Sequence, residues 1–218
     1  MRRVLAAALL AAASLTTLHA DDRFGISAGA GPAIPVRAIK RMFGVGYGGT
    51  ASIEVLLNDN ISVIARGGYY RWQFSSSKVN ASVAEDGGEP GYDVRGPFQA
   101  IPVQLGARLT FDGAFIRPYF GLSGGACFLH WRMAGSNSAA GGSVPSGEFS
   151  STWTEPAMSV DAGFMFVLSH SLTLDVGGTY TAFSNAEDRI EPADFLGRIT
   201  GVNTATFVAL QAGLSVRF

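Results

Sequence analysis

The sequence is poor in cysteine, in histidine and in long apolar runs, and each shortage excludes a class of protein. The single cysteine, Cys127, forbids an internal disulfide, so the fold does not depend on oxidative cross-links. After residue 20 no run of 18 apolar residues occurs, which excludes a membrane-spanning helix. His130 and His170 fall at opposite ends of predicted strands, so we expect no metal or other cofactor.

The first twenty residues, 1–20, form a separate unit. Arg2 and Arg3 precede a short apolar run that ends near the small residue Ala20, and this order predicts a secretory signal peptide that is cleaved after Ala20. Removing the two arginines from 16 basic residues leaves 14 against 17 acidic ones, a net charge of about −3. This balance does not indicate a nucleic-acid partner. The rest of the chain, 21–218, fits one domain.

The last fifteen residues show a period of two. One face is apolar almost throughout, and it consists of Phe218, Val216, Leu214, Ala212, Leu210, Val208 and Thr206. The other face is small, polar or charged, which predicts an extended strand. The same alternation recurs about eight times along the chain, and strands of about ten residues with one apolar face are typical of transmembrane β-barrels. Only a closed barrel satisfies every backbone group of such strands in lipid.

Eight strands are predicted, joined alternately by tight turns and long loops. The strands lie at 24–30, 45–57, 61–74, 98–111, 114–128, 153–168, 172–183 and 204–218. The turns are Asn58–Asn60, Asp112–Gly113 and Ser169–Ser171, and the loops are 32–43, 75–97, 129–152 and 184–203. Outer-membrane barrels have periplasmic turns and extracellular loops. Two aromatic girdles are expected, one of Phe24, Phe111, Phe166 and Phe218, the other of Tyr47, Tyr69, Trp131, Trp153 and Tyr180.

These strands resemble the small eight-stranded outer-membrane barrels of the OmpA/OmpX type. The terminal strand is similar to the C-terminal recognition strand of such proteins, with Phe218, Val216 and Leu214 as the assembly signal. The resemblance implies an antiparallel up-and-down transmembrane barrel over 21–218, inserted by the assembly machinery into the outer membrane of a Gram-negative-type bacterium. It also implies a monomer with no soluble domain after Phe218.

Seven charged residues are predicted to face the barrel interior, and they are Glu54, Arg66, Arg108, Arg117, Asp161, Asp175 and Arg217. On the lipid face an arginine would cost about 2–4 kcal/mol. The Asp112–Gly113 turn is predicted to set Arg108 opposite Arg117, so a nearby carboxylate from Glu54 or Asp161 is expected. Side chains fill a barrel of this size. The charges then form either a structural ion-pair network or the gate of a small channel.

Catalysis would require a lipid A-modifying site at the outer rim. The PagL-type deacylases carry a His-x-Ser-Asn stretch, and this chain has Ala182-Phe183-Ser184-Asn185, with alanine in the place of the base. We therefore expect no enzyme activity. The interpretation is a non-enzymatic barrel whose loops bind an external ligand or that supports the envelope. A lipid A-modifying enzyme, a small channel and a soluble lipocalin-like barrel remain the alternatives.

The first loop, 32–43, has three basic residues and no acidic one. Arg37, Lys40 and Arg41 are therefore a candidate contact for the phosphates of lipopolysaccharide or of another outer-membrane lipid, or they form a solvated rim.

Overall fold

The computed structural model describes residues 23–85, 91–137, 147–184 and 204–218. The predicted signal peptide and nearly all of the last predicted loop lie outside these residues. The strands are β1 (Phe24–Val36), β2 (Gly46–Leu56), β3 (Ile61–Gln73), β4 (Tyr92–Arg95), β5 (Pro97–Thr110), β6 (Ile116–Asn137), β7 (Gly147–Val167), β8 (Leu172–Ser184) and β9 (Thr204–Arg217).

Eight of these strands close into one antiparallel barrel, and the short strand β4 is an addition to it. Each barrel strand pairs with the next one along the chain, and β1 pairs with β9 to complete the ring. For example, Phe24 lies opposite Val55, and Ala28 lies opposite Leu214. The predicted eight-stranded up-and-down barrel is thereby confirmed.

The short strand β4 pairs with the outer end of β6, beyond the point where β5 begins. Gly96 separates β4 from β5 and has a positive φ of 138°. A Cβ added there would collide with the carbonyl oxygen of Arg132, so glycine is required for this close approach. β4 therefore continues the wall formed by β5 after a sharp local bend.

Alternating side chains divide the barrel into a lipid-facing wall and an interior. Along β5 the outward residues Ile101, Val103 and Leu105 are exposed, while Gln104 and Arg108 on the opposite face are buried. The same pattern on β2, β3, β6 and β7 confirms the predicted period of two. The exposed apolar surface belongs in lipid, because a wall of this size in water would bind or aggregate.

The turn between β5 and β6 is wider than the sequence predicts. A two-residue turn at Asp112–Gly113 would place Arg108 opposite Arg117. Instead Arg108 pairs with Gly121, because the last pair between β5 and β6 is Thr110 with Tyr119, and eight residues, 111–118, separate these two positions. The backbone N–H of Phe111 donates to the carbonyl of Pro118 (2.8 Å), which fixes this register. The prediction that the two arginines face each other is therefore wrong.

Ordered structure covers the end of the barrel where the long connections lie. A short 3-10 helix (Arg37–Arg41) follows β1, and helix α1 (Ser76–Glu85) follows β3. Ile39, Met42 and Val79 from these segments are buried over the mouth of the barrel. The prediction that 75–97 is only a loop is wrong, since α1 and β4 lie within it. No helix in the described residues is both long enough and apolar enough to cross a membrane.

The C-terminal residue completes the ring of backbone hydrogen bonds. The N–H of Phe218 donates to the carbonyl of Phe24 (2.8 Å), which ties the chain end to the start of β1. Deleting Phe218 should lower the amount of protein inserted in the outer membrane and leave export intact, because the residue closes the seam and resembles the assembly signal. Quantitative blotting of periplasmic and outer-membrane fractions measures this.

The comparison substitution is Phe111→Ala, which removes an exposed aromatic at the turn end that lies outside the seam. Its outer-membrane level should remain close to that of the wild type. Equal levels of the Phe218 deletion and of Phe111→Ala would contradict a special role of the terminal residue.

Candidate functional site

The half of the interior nearest the tight turns contains five buried or mostly buried charged side chains. We call them the charge layer, and they are Glu54, Arg66, Arg108, Asp161 and Asp175. They come from five different strands, β2, β3, β5, β7 and β8. Period-two alternation points all of them inward, and the closure of the barrel brings them together. All five were predicted to face the interior.

Arg108 lies at the centre of the charge layer and is 5% exposed. Its guanidinium nitrogens lie 3.7 Å from Glu54, 3.6 Å from Asp161 and 3.8 Å from Asp175. Asp175 is three strands away from β5 around the ring, so the side chain of Arg108 reaches across the bore. The guanidinium carbon also lies 4.3 Å from the centre of the Tyr119 ring, in cation–π geometry.

Further contacts orient the carboxylates around Arg108. Arg66 Nη2 pairs with Asp161 Oδ1 at 3.0 Å, the Ser62 hydroxyl donates to Glu54, and the Tyr119 hydroxyl donates to Asp175 Oδ1 at 2.7 Å. Gly163 and Gly177 leave room for Tyr119, because a Cβ on either would collide with its hydroxyl. Its spacing of two residues from Arg117 puts Tyr119 on the same inward face, but no sequence signal indicates its hydrogen bond to Asp175.

The other two predicted interior charges lie apart from the charge layer. Arg117 is half-buried at the turn end, and its Nε donates to the carbonyl of Gly113 (3.1 Å). Arg217 is also half-buried, and its Nε has no hydrogen-bond partner. Within the described residues neither arginine forms an ion pair. Both lie near the rim at the turn end and do not join the central network.

Amide and hydroxyl groups fill the next level of the interior. Gln104 Nε2 donates to Ser159 (2.8 Å), and the Ser159 hydroxyl lies 2.9 Å from that of Thr181. Across the bore, Gln211 donates to the Tyr70 hydroxyl at 2.9 Å and accepts from Thr50 at 2.8 Å. Three of these four bonds link strands that do not pair with each other, so buried polar groups here find partners across the interior.

The half of the interior nearest the loops is aromatic. We call its five central rings the aromatic layer, and they are Tyr70, Trp72, Phe98, Phe183 and Phe207. Ring centres are 5.0 Å apart for Trp72 and Phe207, although β3 and β9 are three strands apart around the ring. The indole N–H of Trp72 donates to the carbonyl of Ala33 at 2.9 Å. Aromatic contacts therefore span the bore.

Two tryptophans that the sequence analysis assigned to the outer girdle belong to this apolar interior. Trp131 and Trp153 are both almost fully buried and point inward, so the girdle assignment is wrong for them. Alternation from the outward residue Phe128 would have placed Trp131 inward. Tyr47, Tyr69 and Tyr180, in contrast, are exposed on the outer wall as predicted.

A polar cavity lies between the charge layer and the small residues of β1, β8 and β9. It is partly open to solvent, and Ser27, Gly29, Thr179 and Gly213 line the side opposite Arg66 and Arg108. Arg66 Nη1, Arg108 Nε and Asp161 Oδ2 are buried without a hydrogen-bond partner. The cavity thus offers both donors and acceptors, which suits water.

The remaining predicted site residues lie on the outside of the barrel. Leu214 and Val216 face outward on β9, beside the seam that Phe218 closes. Arg37 begins the 3-10 helix, and Lys40 and Arg41 near its end are exposed.

A catalytic base for Ser184 would have to be a histidine, and His130 lies on a strand that does not pair with the strand of Ser184. His130 is on β6, and its Nδ1 lies 2.8 Å from the Thr152 hydroxyl on β7. Ser184 ends β8, which pairs with β7 and β9 rather than with β6. Phe183 beside it points into the apolar interior. In the described part of the chain, no group of three or more His, Cys, Asp or Glu residues is arranged to hold a metal ion.

A closed antiparallel barrel with an apolar outer wall and a charged interior defines an integral membrane β-barrel. The chain belongs to the outer membrane protein beta-barrel domain family, whose family model matches residues 5–218. Its place is accordingly the bacterial outer membrane. No curated protein matches the sequence significantly.

The chain is similar to several solved structures. Neisserial surface protein A has 18% identity and a TM-score of 0.50, with 89% of this chain and 97% of that chain covered. The attachment invasion locus protein Ail of Yersinia pestis, solved with the heparin analogue sucrose octasulfate, has 15% identity and a TM-score of 0.49, covering 90% and 98%. The outer membrane protease OmpT of Escherichia coli has 7% identity and a TM-score of 0.47, covering 90% and 97%.

Proposed function

We propose that this protein is a non-enzymatic and non-conducting outer-membrane barrel that supports a binding surface, or the envelope itself, at its extracellular end. The observation that carries the proposal is that two separate layers of side chains fill the interior of the barrel. Arg108 spans it in the charge layer, and Trp72 and Phe207 span it in the aromatic layer. A permeating ion would have to displace both layers.

The loop end supports the binding role. Rigid strands hold the connections in place, and binding residues concentrate on such connections. Lys40 and Arg41 are exposed on the capping 3-10 helix, so this basic segment, which Arg37 begins, is proposed to contact lipopolysaccharide phosphates or an anionic external ligand. No described contact favours the alternative of a lipid A deacylase, because His130 and Ser184 are on strands that do not pair.

Planar-bilayer recording of the purified, folded protein tests the non-conducting part of the proposal. We expect no defined conductance steps at either polarity, while a porin inserted under the same conditions gives its usual steps. Reproducible unitary steps from the wild-type barrel would contradict the proposal and support the small-channel alternative.

Incubation with lipopolysaccharide tests the non-enzymatic part separately. Mass spectrometry of lipid A after incubation should show an unchanged number of acyl chains. Released fatty acid that depends on folded protein would instead support the deacylase alternative.

A further inference from the structure

One carboxylate in the half of the interior nearest the loops has no partner among the described residues. Glu155 lies on β7, and it is not one of the predicted interior charges. It is 6% exposed, and Trp153 and Ala157 at the alternate positions beside it are buried as well. Glu155 therefore points into the barrel. Within the described residues, its side chain forms neither an ion pair nor a hydrogen bond.

The side chains around Glu155 carry no charge that would neutralise it. Cys127 lies directly opposite on β6 and is fully buried, and it pairs in turn with the buried residue Pro102 of β5. On the other side, Ala157 pairs with Phe183 of β8. A charged group in apolar surroundings of this kind is strongly disfavoured unless a partner compensates it.

Two indole N–H groups in the same region also lack a partner. Trp153 precedes Glu155 by two positions on the same face, and Trp131 of β6 lies diagonally opposite Trp153, since it pairs with Ser151. Trp131 and Trp153 are almost fully buried, and in the described part of the chain the Nε1 atom of each has no hydrogen-bond partner. Buried donors and acceptors are nearly always satisfied, so a group of three that are not points to a missing partner.

This region lies toward the extracellular end of the barrel. β7 pairs with β6 from Gly147 onward, whereas its described pairing with β8 begins only at Ala157. Glu155 lies two positions beyond that pair, and the next inward residues toward the loops are Trp153 and then Ser151, which is partly exposed. A solute that enters from the loop end therefore reaches Glu155 before it reaches the charge layer.

We propose that Glu155, Trp131 and Trp153 form a binding site for a small organic cation that carries an ammonium group and an oxygen atom, as an amino alcohol does. The ammonium group neutralises the Glu155 carboxylate, and the oxygen accepts a hydrogen bond from an indole N–H. Indole rings also attract ammonium groups through their faces, more strongly than other aromatic side chains do. The apolar neighbours suit the carbon atoms of such a ligand, as in most small-molecule sites.

Other classes of ligand fit this region less well. Water would satisfy the indoles but would leave the negative charge of Glu155 uncompensated, and an anion would be repelled by it. A metal ion usually requires several oxygen, nitrogen or sulfur ligands, and the side chains that the structure describes gather no such group. The site is also separate from the basic 3-10 helix, whose charge attracts anions instead.

Isothermal titration of the folded barrel in detergent with ethanolamine tests the site, and ethylene glycol serves as an uncharged molecule of similar size. Ethanolamine should bind the wild type at least about tenfold more tightly than ethylene glycol does. Glu155→Gln should weaken ethanolamine binding by at least about tenfold, because glutamine keeps the shape of the side chain and removes the charge that pairs with the ammonium group. Trp131→Phe and Trp153→Phe, which keep a ring but remove the N–H, should each cause a smaller loss.

Unfolding in urea gives a second measurement, which distinguishes a binding role from a structural one. Without ligand, Glu155→Gln should unfold at the same or a higher urea concentration than the wild type, because it removes an uncompensated buried charge. Saturating ethanolamine should raise the midpoint of the wild type and leave that of Glu155→Gln unchanged. The matched control is Glu85→Gln, the same change at an exposed residue of α1, which should behave as the wild type in both measurements.

Three binding results would overturn the proposal: ethanolamine binds the wild type no better than ethylene glycol, Glu155→Gln binds it as well as the wild type does, or Glu85→Gln loses as much as Glu155→Gln. A lower unfolding midpoint of Glu155→Gln, or its failure to fold, would show that the carboxylate supports the fold and would also contradict a binding role. None of these outcomes bears on conductance, on acyl-chain release or on the 3-10 helix, so the test is independent of the proposed function.

Discussion

Replacing Trp72 by alanine should lower the free energy of unfolding by about 3–5 kcal/mol, the range for removing a large buried aromatic. Trp72 is 1% exposed and contacts the rings of Phe98 and Phe207 at 5.6 and 5.0 Å. The substitution leaves a void that spans the bore between β3 and β9. It also removes the donor to the carbonyl of Ala33. Urea titration of the folded barrel in lipid vesicles, followed by gel migration, measures the loss.

Two comparisons separate the causes of this loss. Trp72→Phe keeps most of the ring packing but deletes the N–H that bonds Ala33, so it should cost only about 1–3 kcal/mol. Tyr69→Ala, three residues earlier on β3, removes an outward aromatic whose place lipid can fill, and it should cost less than half as much as Trp72→Ala. Similar losses at positions 69 and 72 would show that the aromatic layer does not support the barrel.

Most of the fold could be predicted from the alternation of apolar and polar side chains, because the lipid surroundings require this alternation on every strand. A one-residue slip would move the charges of a strand into hydrocarbon, so the faces of β2, β3, β5 and β7 could be assigned from residues such as Glu54, Arg66 and Asp161. The pairing register of two strands joined by a turn cannot be assigned in this way, because it depends on the length of the turn. The Asp112–Gly113 pair predicted a two-residue turn, but the chain forms a longer connection, and Arg117 moves away from Arg108.

At the loop end, the spacing of a residue along its strand predicts whether its side chain points inward or outward better than the residue type does. Trp131 and Trp153 were assigned to the girdle because tryptophan is common there, although their spacing from Phe128 and from Val160 makes both inward. Helix α1 had no strong sequence signal, since Ser76–Glu85 is mostly polar and small. It is held by long-range contacts, such as the Lys78 ammonium that donates to the carbonyl of Phe43 (2.8 Å). Contacts of this kind join residues that are far apart in the sequence, so they can be seen only once the barrel has closed.

Arg108→Met should be the most destabilising single substitution in the charge layer, with a loss of about 3–5 kcal/mol. The guanidinium is the shared partner of Glu54, Asp161 and Asp175. Without it, Arg66 alone remains to compensate three buried carboxylates. Methionine fills much of the space but supplies no charge, so the cost arises mainly from carboxylates left unpaired in a medium of low polarity.

The same substitution at Arg117 provides the control. Arg117 is half-buried, and its described hydrogen bond goes to the carbonyl of Gly113 in a turn. Arg117→Met should therefore cost less than about 1 kcal/mol, as is usual where solvent reaches the charge. If Arg108→Met and Arg117→Met lowered the free energy of unfolding by similar amounts, the loss would not depend on the carboxylate partners of Arg108.

A double-mutant cycle then identifies the partners of Arg108. Asp175→Asn should be costly on its own, because Asp175 contacts Arg108 and accepts a bond from Tyr119. In the Arg108→Met background the same substitution removes an unpaired charge, so it should restore part of the stability, with a coupling of about 0.5–3 kcal/mol. Glu54→Gln should show the same sign of coupling. Strict additivity for both carboxylates would show that Arg108 does not interact with them, since only independent sites add.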